Sequence, residues 1–465
     1  MVTSSRPRPI VLASNRGPLS FEERPDGTLA ARRGAGGLVS GIGPLVAGTD
    51  TTWLAAAISE GDRVAARSGV VDAEGFRVRM LAVDPETYRL AYDVVSNQVL
   101  WFAHHGLWDR AHQPTFDRTW GEAWDAYRTL NQHFADAIAE VAPEGAVVLL
   151  QDYHLCLVAQ HLAAARPDLD CVHFAHTPFA PPAWLADLPD ATVAELLGGL
   201  AAHRACGFHT HRWADDFLAS ARTLAGLSPA TFVSPLASDP EDIRGVASGT
   251  ECGAALADLE ATVGDRLVIG RVDRIELTKN LVRGFEAFDD LLDQHPEHRG
   301  RVTFVAGAYP SRAGLAAYAE YREAVHATVD RVNERWATEG WTPIVLDVED
   351  HHPRSVALLR RADVLLVNPI RDGLNLVASE GALVNERDAV LALSPEAGAW
   401  ERLHEPCLRV PPFDVAGTAD ALHRALTMPA DERRQRAARL RALAEARTPE
   451  HWLADQLAAG AGDGA

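Results

Sequence analysis

A chain of 465 residues is too long for one ordinary domain and fits two, each with a sizeable core. Its 47% hydrophobic and 23% charged residues are those of a globular protein, and no stretch reaches the roughly 18 uninterrupted apolar residues of a membrane span. A formal net charge of -20 argues against nucleic acid or an anionic membrane as partner, because such binding draws on phosphate neutralisation by basic surface. Five cysteines (Cys156, Cys171, Cys206, Cys252, Cys407) without a CxxC spacing read as buried or incidental thiols rather than a disulfide framework or zinc site. No cofactor is expected, and a homo-oligomer stays open.

Met1 to Pro9 runs from a short basic stretch into the strand-like PIVLAS with no apolar signal region, so a cytoplasmic location is expected. Apolar runs then recur at Ile10–Ala13, Ala146–Leu150, Cys171–Phe174, Leu267–Ile269, Val302–Ala306, Pro343–Val348 and Val364–Val367. Helical stretches such as Trp124–Val141 and Leu315–Glu339 lie between them. This alternation predicts an α/β fold of buried parallel strands in two doubly wound, Rossmann-like sheets. A polar, Gly-containing stretch from Ser238 to Gly253 separates the two series and puts the domain change near residue 238. The Asp431–Arg447 run reads as a helix with a solvated face.

One compositional bias stands out: of 44 Lys and Arg residues, Lys279 is the single lysine. It lies in V-D-R-I-E-L-T-K-N after the strand Leu267–Ile269, where doubly wound sheets bind ligands. Arg274 and Lys279 there suit a diphosphate, with lysine as a compact point charge; a surface loop with scattered charges is the competing reading. The segment N-P-I-R-D-G-L-N-L-V-A-S-E, residues 368 to 380, follows Val364–Val367 and is expected to open a helix near Asn375. Backbone N–H groups of Leu374, Asn375 and Leu376 would face an anion, Asp372 could accept sugar hydroxyl protons, and Glu380 could reach a ribose diol. A plain Asp-Gly turn with a surface glutamate is the alternative. In the first half, Asp152 of Q-D-Y-H-L and His176 of H-F-A-H-T-P-F both fall at strand C-terminal ends, and that convergence favours a site.

R-D-G-x-N-L-V-A-x-E with an upstream R-x-[DE]-x-x-K resembles the trehalose-6-phosphate synthase family of retaining glycosyltransferases, and the similarity runs over most of the chain. The resemblance implies two Rossmann-like domains facing a central cleft, the GT-B architecture. Residues 1–237 would bind the acceptor and 238–448 the nucleotide sugar, with a C-terminal helix at 449–465 packing back on the first domain. It implies that Arg274 and Lys279 stabilise the leaving diphosphate and that Glu380 binds ribose. Asp372 and the neighbouring backbone of Gly373, Leu374, Asn375, Leu376 and Val377 would hold the donor glucose. S-N-R-G-P and G-A-G-G-L-V-S-G resemble the N-terminal loops, so Arg16 would grip the acceptor phosphate while Gly36 and Gly37 admit the donor diphosphate. By the same resemblance Tyr92 and Trp101 wall the acceptor, Asp152 takes acceptor hydroxyls, His176 binds donor sugar, and Arg312 joins Arg16 on the phosphate. The family's R-L-D-Y-S-K-G is here R-I-E-L-T-K-N, and its W-x-G-W-S-G is here W-L-A-A-A-I.

The motifs offer no carboxylate nucleophile, so a front-face route is expected, with charge building on the diphosphate beside Arg274, Lys279 and the helix N-terminus. No DxD-type motif stands in the expected place, and metal independence follows. Asp350, with Ser355 assisting, could accept both the N1–H and the amino group of guanine, which favours GDP-glucose over UDP-glucose as donor. Glucose 6-phosphate is the expected acceptor and trehalose 6-phosphate the product. The departures from the family pattern leave a pseudoglycosyltransferase coupling a GDP-cyclitol to an aminocyclitol phosphate as an alternative; a non-catalytic sugar-phosphate sensor is a further alternative, against which the retained Arg274, Lys279, Asp372 and Glu380 argue.

Overall fold

The computed structural model describes residues 8–34, 37–312 and 314–461. The chain divides into two compact units, one of Met1–Leu236 with Pro449–Ala465 and the other of Ala237–Thr448.

The first unit holds β1 (Ile10–Ser14), β2 (Leu19–Glu23), β3 (Leu29–Arg33), β4 (Thr52–Ala56), β5 (Val70–Ala73), β6 (Phe76–Leu81), β7 (Val147–Gln151), β8 (Asp170–Ala175), β9 (Ala205–Phe208) and β10 (Thr231–Val233). Eight of them form a sheet in the order β10-β9-β8-β7-β1-β4-β6-β5, parallel except for the β5–β6 edge, while β2 and β3 pair as a separate hairpin. All five residues of β4 and of β7 are buried, which is why these strands read as continuous apolar runs and not as alternations. The chain leaves β1 toward β4 on one side and returns to β7 on the other, so the sheet order reverses between β1 and β7. Loops after those two strands therefore flank the crevice where such sheets take ligands.

The second unit repeats the plan with β11 (Leu267–Ile275), β12 (Val302–Pro310), β13 (Ile344–Asp347), β14 (Val364–Val367), β15 (Val390–Leu393) and β16 (Leu408–Arg409), in the all-parallel order β13-β12-β11-β14-β15-β16. Its reversal lies between β11 and β14. β11 pairs with β14 only at Ile269 and Gly270 but follows β12 from Leu267 to Ile275, so its last residues project past the end of β14.

Each apolar run read from the sequence lies on one of these strands. The Ser238–Gly253 stretch is different: it is largely helical, in Pro240–Ser248 and the start of Thr250–Val263. Asp239 caps the first helix by accepting from the Glu241 and Asp242 N–H groups, with Pro240 in its first turn, a start signal that polar composition masks. Residues Leu90–Leu100 form a π-helical segment that leads into the helix Trp101–His105, a geometry no hydrophobic period announces. All five cysteines are free and buried, and burial pushes the Cys156, Cys171 and Cys407 thiols up to about 12. Among the described residues no helix is long and apolar enough to cross a membrane.

The helix Pro449–Ala461 packs on the first unit. Trp452 is fully buried, its ring edge-on to Phe174 at 5.1 Å, and Gln456 accepts a hydrogen bond from Gln151 Nε2 at 3.3 Å. Truncating Trp452 to Ala removes this wedge and is expected to cost about 3–5 kcal/mol. Urea unfolding followed by the circular dichroism of the first unit's transition checks this, and an unchanged midpoint contradicts it.

Candidate functional site

Polar residues gather at the sheet reversal of each unit. In the second, the turn after β11 carries Lys279, whose Nζ lies 2.6 Å from Asp372 Oδ2 in the loop after β14 and 3.8 Å from Asp273 Oδ1. Burial alone would lower the Lys279 ammonium, but Asp372 and Asp273 outweigh it, so its pKa is raised and it stays charged. Two backbone devices hold the two loops in place. Ile370 N–H donates to Thr278 O at 2.7 Å, and Asn280, in the left-handed region at φ +60°, donates from Nδ2 to the Asn368 and Pro412 carbonyls at 3.0 and 2.6 Å. Asn375, also left-handed at φ +76°, donates from Nδ2 to Asp372 Oδ2 at 3.2 Å. Asn tolerates that conformation better than most side chains, which accounts for Asn at both turns.

Beneath Lys279 lies a buried pair that the motif reading missed. Arg271, with no exposed side chain, donates to Asp273 Oδ2 from Nη2 at 2.7 Å and to the Lys279 carbonyl at 2.8 Å. Room for it comes from Gly284, where a Cβ would stand 2.6 Å from Arg271 Nη1. Glu276, fully buried, was missed as well. Its Oε1 accepts from Ser311 Oγ at 2.9 Å and lies 3.3 Å from Arg274 Nε and 3.6 Å from Arg312 Nη1. Burial would raise this carboxyl, but the Arg274 and Arg312 guanidiniums hold it down at about 2. Arg312, at φ +47°, also donates from Nη1 to the Tyr318 hydroxyl at 2.6 Å. The signal available was charge inside a strand: G-R-V-D-R-I-E puts Arg, Asp, Arg and Glu into and just past an otherwise apolar β11.

Thus Arg274, Lys279, Arg312, Asp372 and Asn375 come together with Arg271, Asp273 and Glu276. The expected helix opens two residues later than Asn375, at Val377, with Leu376 at its N-cap, because Asn375's positive φ cannot continue into a helical turn. Gly373, Leu374, Asn375 and Leu376 form the loop, and Val377 is the first helical residue. Glu380 sits in the first turn of that helix, and burial together with Asp242 raises its carboxyl to about 7. Asp350 is exposed on the loop after β13, and Ser355 lies within the helix His352–Arg361.

In the first unit, Arg16 is exposed just past β1, and Asp152 follows β7 in the left-handed region at φ +70°. Asp152 Oδ1 accepts the His176 backbone N–H at 3.1 Å. The His176 ring is tied to Gln151 Oε1 through Nε2 at 2.9 Å. Gln151 Nε2 donates in turn to Gln456 Oε1 at 3.3 Å. Burial, then His209, lowers the His176 pKa well below its ordinary value, so the ring is neutral near pH 7. Tyr92 stacks between Tyr88 (5.3 Å) and His154 (5.6 Å), and Trp101 packs 5.9 Å from Tyr153. Gly37 opens the helix Gly37–Val46; Gly36 lies outside the described residues.

Among the described residues one group has metal-ligand character, His295, Glu297 and His423. It lies past the C-terminal end of the helix Leu281–Gln294, the far end from Lys279. The His295 and His423 rings lie face to face at 3.6 Å and 9°, so their in-plane lone pairs run side by side instead of converging on one ion.

Two Rossmann-like domains with polar residues at each sheet reversal fit the GT-B plan, and likeness to solved trehalose-6-phosphate synthases makes the chain a retaining glycosyltransferase of that class. The chain matches glycosyltransferase family 20 over residues 8–459. It is 32% identical over 467 residues to the trehalose-6-phosphate synthase of Mycobacterium sp. (strain KMS), covering 95% of this chain and 93% of that relative. It therefore belongs to the trehalose-6-phosphate synthase family. Among solved structures, an E. coli chain described as trehalose-6-phosphate bound with UDP-2-fluoro glucose superposes with a TM-score of 0.83 at 28% identity, over 96% of this chain and 98% of that one. An alpha,alpha-trehalose-phosphate synthase (UDP-forming) from Burkholderia xenovorans, in complex with glucose-6-phosphate, gives 0.84 at 28% identity, over 97% and 100%.

These relatives overturn the expectation of GDP-glucose, since the first holds a UDP sugar and the second is UDP-forming. The physical reason lies in Asp350. Reading guanine's paired donors needs a carboxylate held against the base, and an exposed loop aspartate is instead met by water. The GDP-cyclitol alternative rested on the same donor.

Replacing Lys279 by Ala leaves the Asp372 and Asp273 carboxylates facing each other largely shielded from water, and the second unit is expected to lose about 3 kcal/mol. Adding Asp372→Asn should restore part of that. Urea unfolding of the single and double variants measures it, and a Lys279→Ala midpoint equal to the parent's rules the ion pair out as a structural tie.

Proposed function

We propose that this chain transfers glucose, with retention, from UDP-glucose to glucose 6-phosphate, giving trehalose 6-phosphate and UDP. The observation that carries this reading is the placement of Arg274 and Lys279 together at the reversal of the second sheet, in a chain whose relatives are trehalose-6-phosphate synthases. The second unit serves as the donor domain and the first as the acceptor domain.

In this reading the anomeric C1–O bond to the diphosphate breaks and a new C1–O bond to the acceptor's anomeric hydroxyl forms on the same face. The acceptor proton passes to the departing diphosphate. Arg274 and Lys279 meet the negative charge that builds there, as fixed cations in place of a metal. The Gly373–Val377 backbone and Asp372 hold the glucose, neutral His176 donates or accepts at a donor hydroxyl, and Gly37 and Gly36 admit the diphosphate. On the acceptor, Arg16 and Arg312 take the phosphate, Asp152 takes hydroxyls, and Tyr92 and Trp101 pack against the sugar. Glu380 accepts from the ribose diol.

Incubation with UDP-glucose and glucose 6-phosphate should yield a non-reducing α,α-linked disaccharide phosphate by NMR; unconsumed glucose 6-phosphate defeats the proposal. Lys279→Ala should lower kcat by roughly 10²–10³, as for loss of one transition-state donor. An unchanged kcat would remove Lys279 from the chemistry. The ribose role gives a pH dependence: with Glu380 at about 7, the carboxylate that accepts ribose hydroxyls is lost as pH falls through 7. UDP affinity should drop by about tenfold from pH 8 to pH 6, following the ionised fraction of that carboxyl. Glu380→Gln should flatten the calorimetric profile; an identical profile in that variant assigns the titration elsewhere.

A further inference from the structure

We propose that Glu276 is a positioning residue, whose single buried oxygen Oε1 holds the Arg274 and Arg312 guanidiniums as a pair and so sets the donor-diphosphate cation against the acceptor-phosphate cation. The inference rests on the reading of those two arginines given above.

The two arginines come from adjacent strands. Arg274 is the penultimate residue of β11, in register with Tyr309 of β12, and Arg312 stands two residues past the end of β12. Brought that close, the guanidiniums repel, and Arg312 is among the groups that disfavour the charge on Arg274. Glu276 Oε1 lies between them, 3.3 Å from Arg274 Nε and 3.6 Å from Arg312 Nη1, with the Ser311 hydroxyl fixing it at 2.9 Å. Arg312 is braced from its other side by Tyr318 and is held at a positive φ, a conformation an arginine keeps only where its surroundings impose it.

The other carboxylate oxygen points to the placement being for function. Glu276 is fully buried, and its Oε2 has no hydrogen-bond partner among the described residues. A carboxylate in the interior with one oxygen unsatisfied is a poor device for folding, where an apolar side chain of similar size serves as well or better. A negative charge at that one point, between two cations that would otherwise separate, explains its presence. The main chain of Glu276 adds a link, because its N–H donates to Arg274 O at 2.8 Å and its carbonyl accepts from Lys279 N–H at 3.0 Å. The residue whose carboxylate spaces the arginines therefore also seats the lysine turn through its main-chain carbonyl.

The test is steady-state kinetics of Glu276→Gln, Arg312→Ala, Arg274→Ala and the Glu276→Gln/Arg312→Ala double variant, with UDP-glucose and glucose 6-phosphate varied separately. Glu276→Gln keeps the shape and removes the charge; it should raise the glucose 6-phosphate KM about tenfold and lower kcat, a misplacement effect. The double variant should show a glucose 6-phosphate KM no higher than Arg312→Ala alone, and Glu276→Asp, which keeps the charge, should recover most of the loss. A purely structural glutamate would instead lower the thermal midpoint with KM unchanged, or give effects that multiply in the double variant; either outcome overturns the proposal. Should Glu276→Gln not fold, Ser311→Ala, which frees Oε1 from its hydroxyl, is expected to raise the same KM several-fold, and an unchanged KM counts against the proposal. If Arg312→Ala or Arg274→Ala leaves both KM values and kcat intact, the phosphate reading itself fails. If those variants lose activity and Glu276→Gln does not, only the positioning role fails.

Discussion

The ion pair between Lys279 and Asp372 joins the two loops on either side of the sheet reversal in the second unit. Everything polar there is arranged around it. Arg271 and Asp273 form a buried floor, Asn280 and Asn375 turn the two loops inward, and Glu276 carries the two arginines at the rim. The four cations Arg271, Arg274, Lys279 and Arg312 face the three carboxylates Asp273, Glu276 and Asp372, so the group is close to neutral before any substrate arrives. That balance lets several charges sit close together in a partly dry place without a bound anion. In the proposed reaction it also keeps them in place where the diphosphate would leave, so that little reorganisation is needed when charge develops.

Neutrality is reached differently in the first unit. His176 is kept uncharged by burial and by the neighbouring His209, and its ring is held by Gln151, itself bonded to Gln456 of the C-terminal helix. The last helix of the chain thereby fixes a ring at the end of β8, a link between residues 305 positions apart. Asp152 follows β7 in a left-handed turn, with its Oδ1 accepting the His176 backbone N–H at 3.1 Å. The strand ends of the two units thus differ, with an ion-paired cluster after β11 and β14 in the second and a neutral His176 ring beside Asp152 in the first.

Much of this was legible in the sequence for simple reasons. Strands buried on both faces must be continuous apolar runs, so their positions and the α/β alternation could be read directly. A chain that writes arginine nearly everywhere marks Lys279 by contrast. What could not be read depends on three-dimensional pairing. The R-I-E of the motif shows a glutamate, but only the register of β11 on β12 reveals that it lies between Arg274 and Arg312. The helix at Pro240 was hidden by its own polar capping residues, and the π-helical turn around Tyr92 has no sequence period to betray it. The donor base was misread because an acidic residue after β13 was taken as fixed, when the structure leaves Asp350 exposed.

The central claim of the proposed mechanism is that Lys279 meets the diphosphate, while Asp372 pairs with the same ammonium, competes for it and does not itself bind the diphosphate. Calorimetric titration of UDP into the parent protein, Lys279→Ala and Asp372→Asn tests it most directly. The account predicts that Lys279→Ala weakens UDP by about tenfold or more, as expected for loss of a charge-assisted contact, while Asp372→Asn binds UDP as well as the parent or better. Equal weakening in both variants, or none in Lys279→Ala, would contradict it.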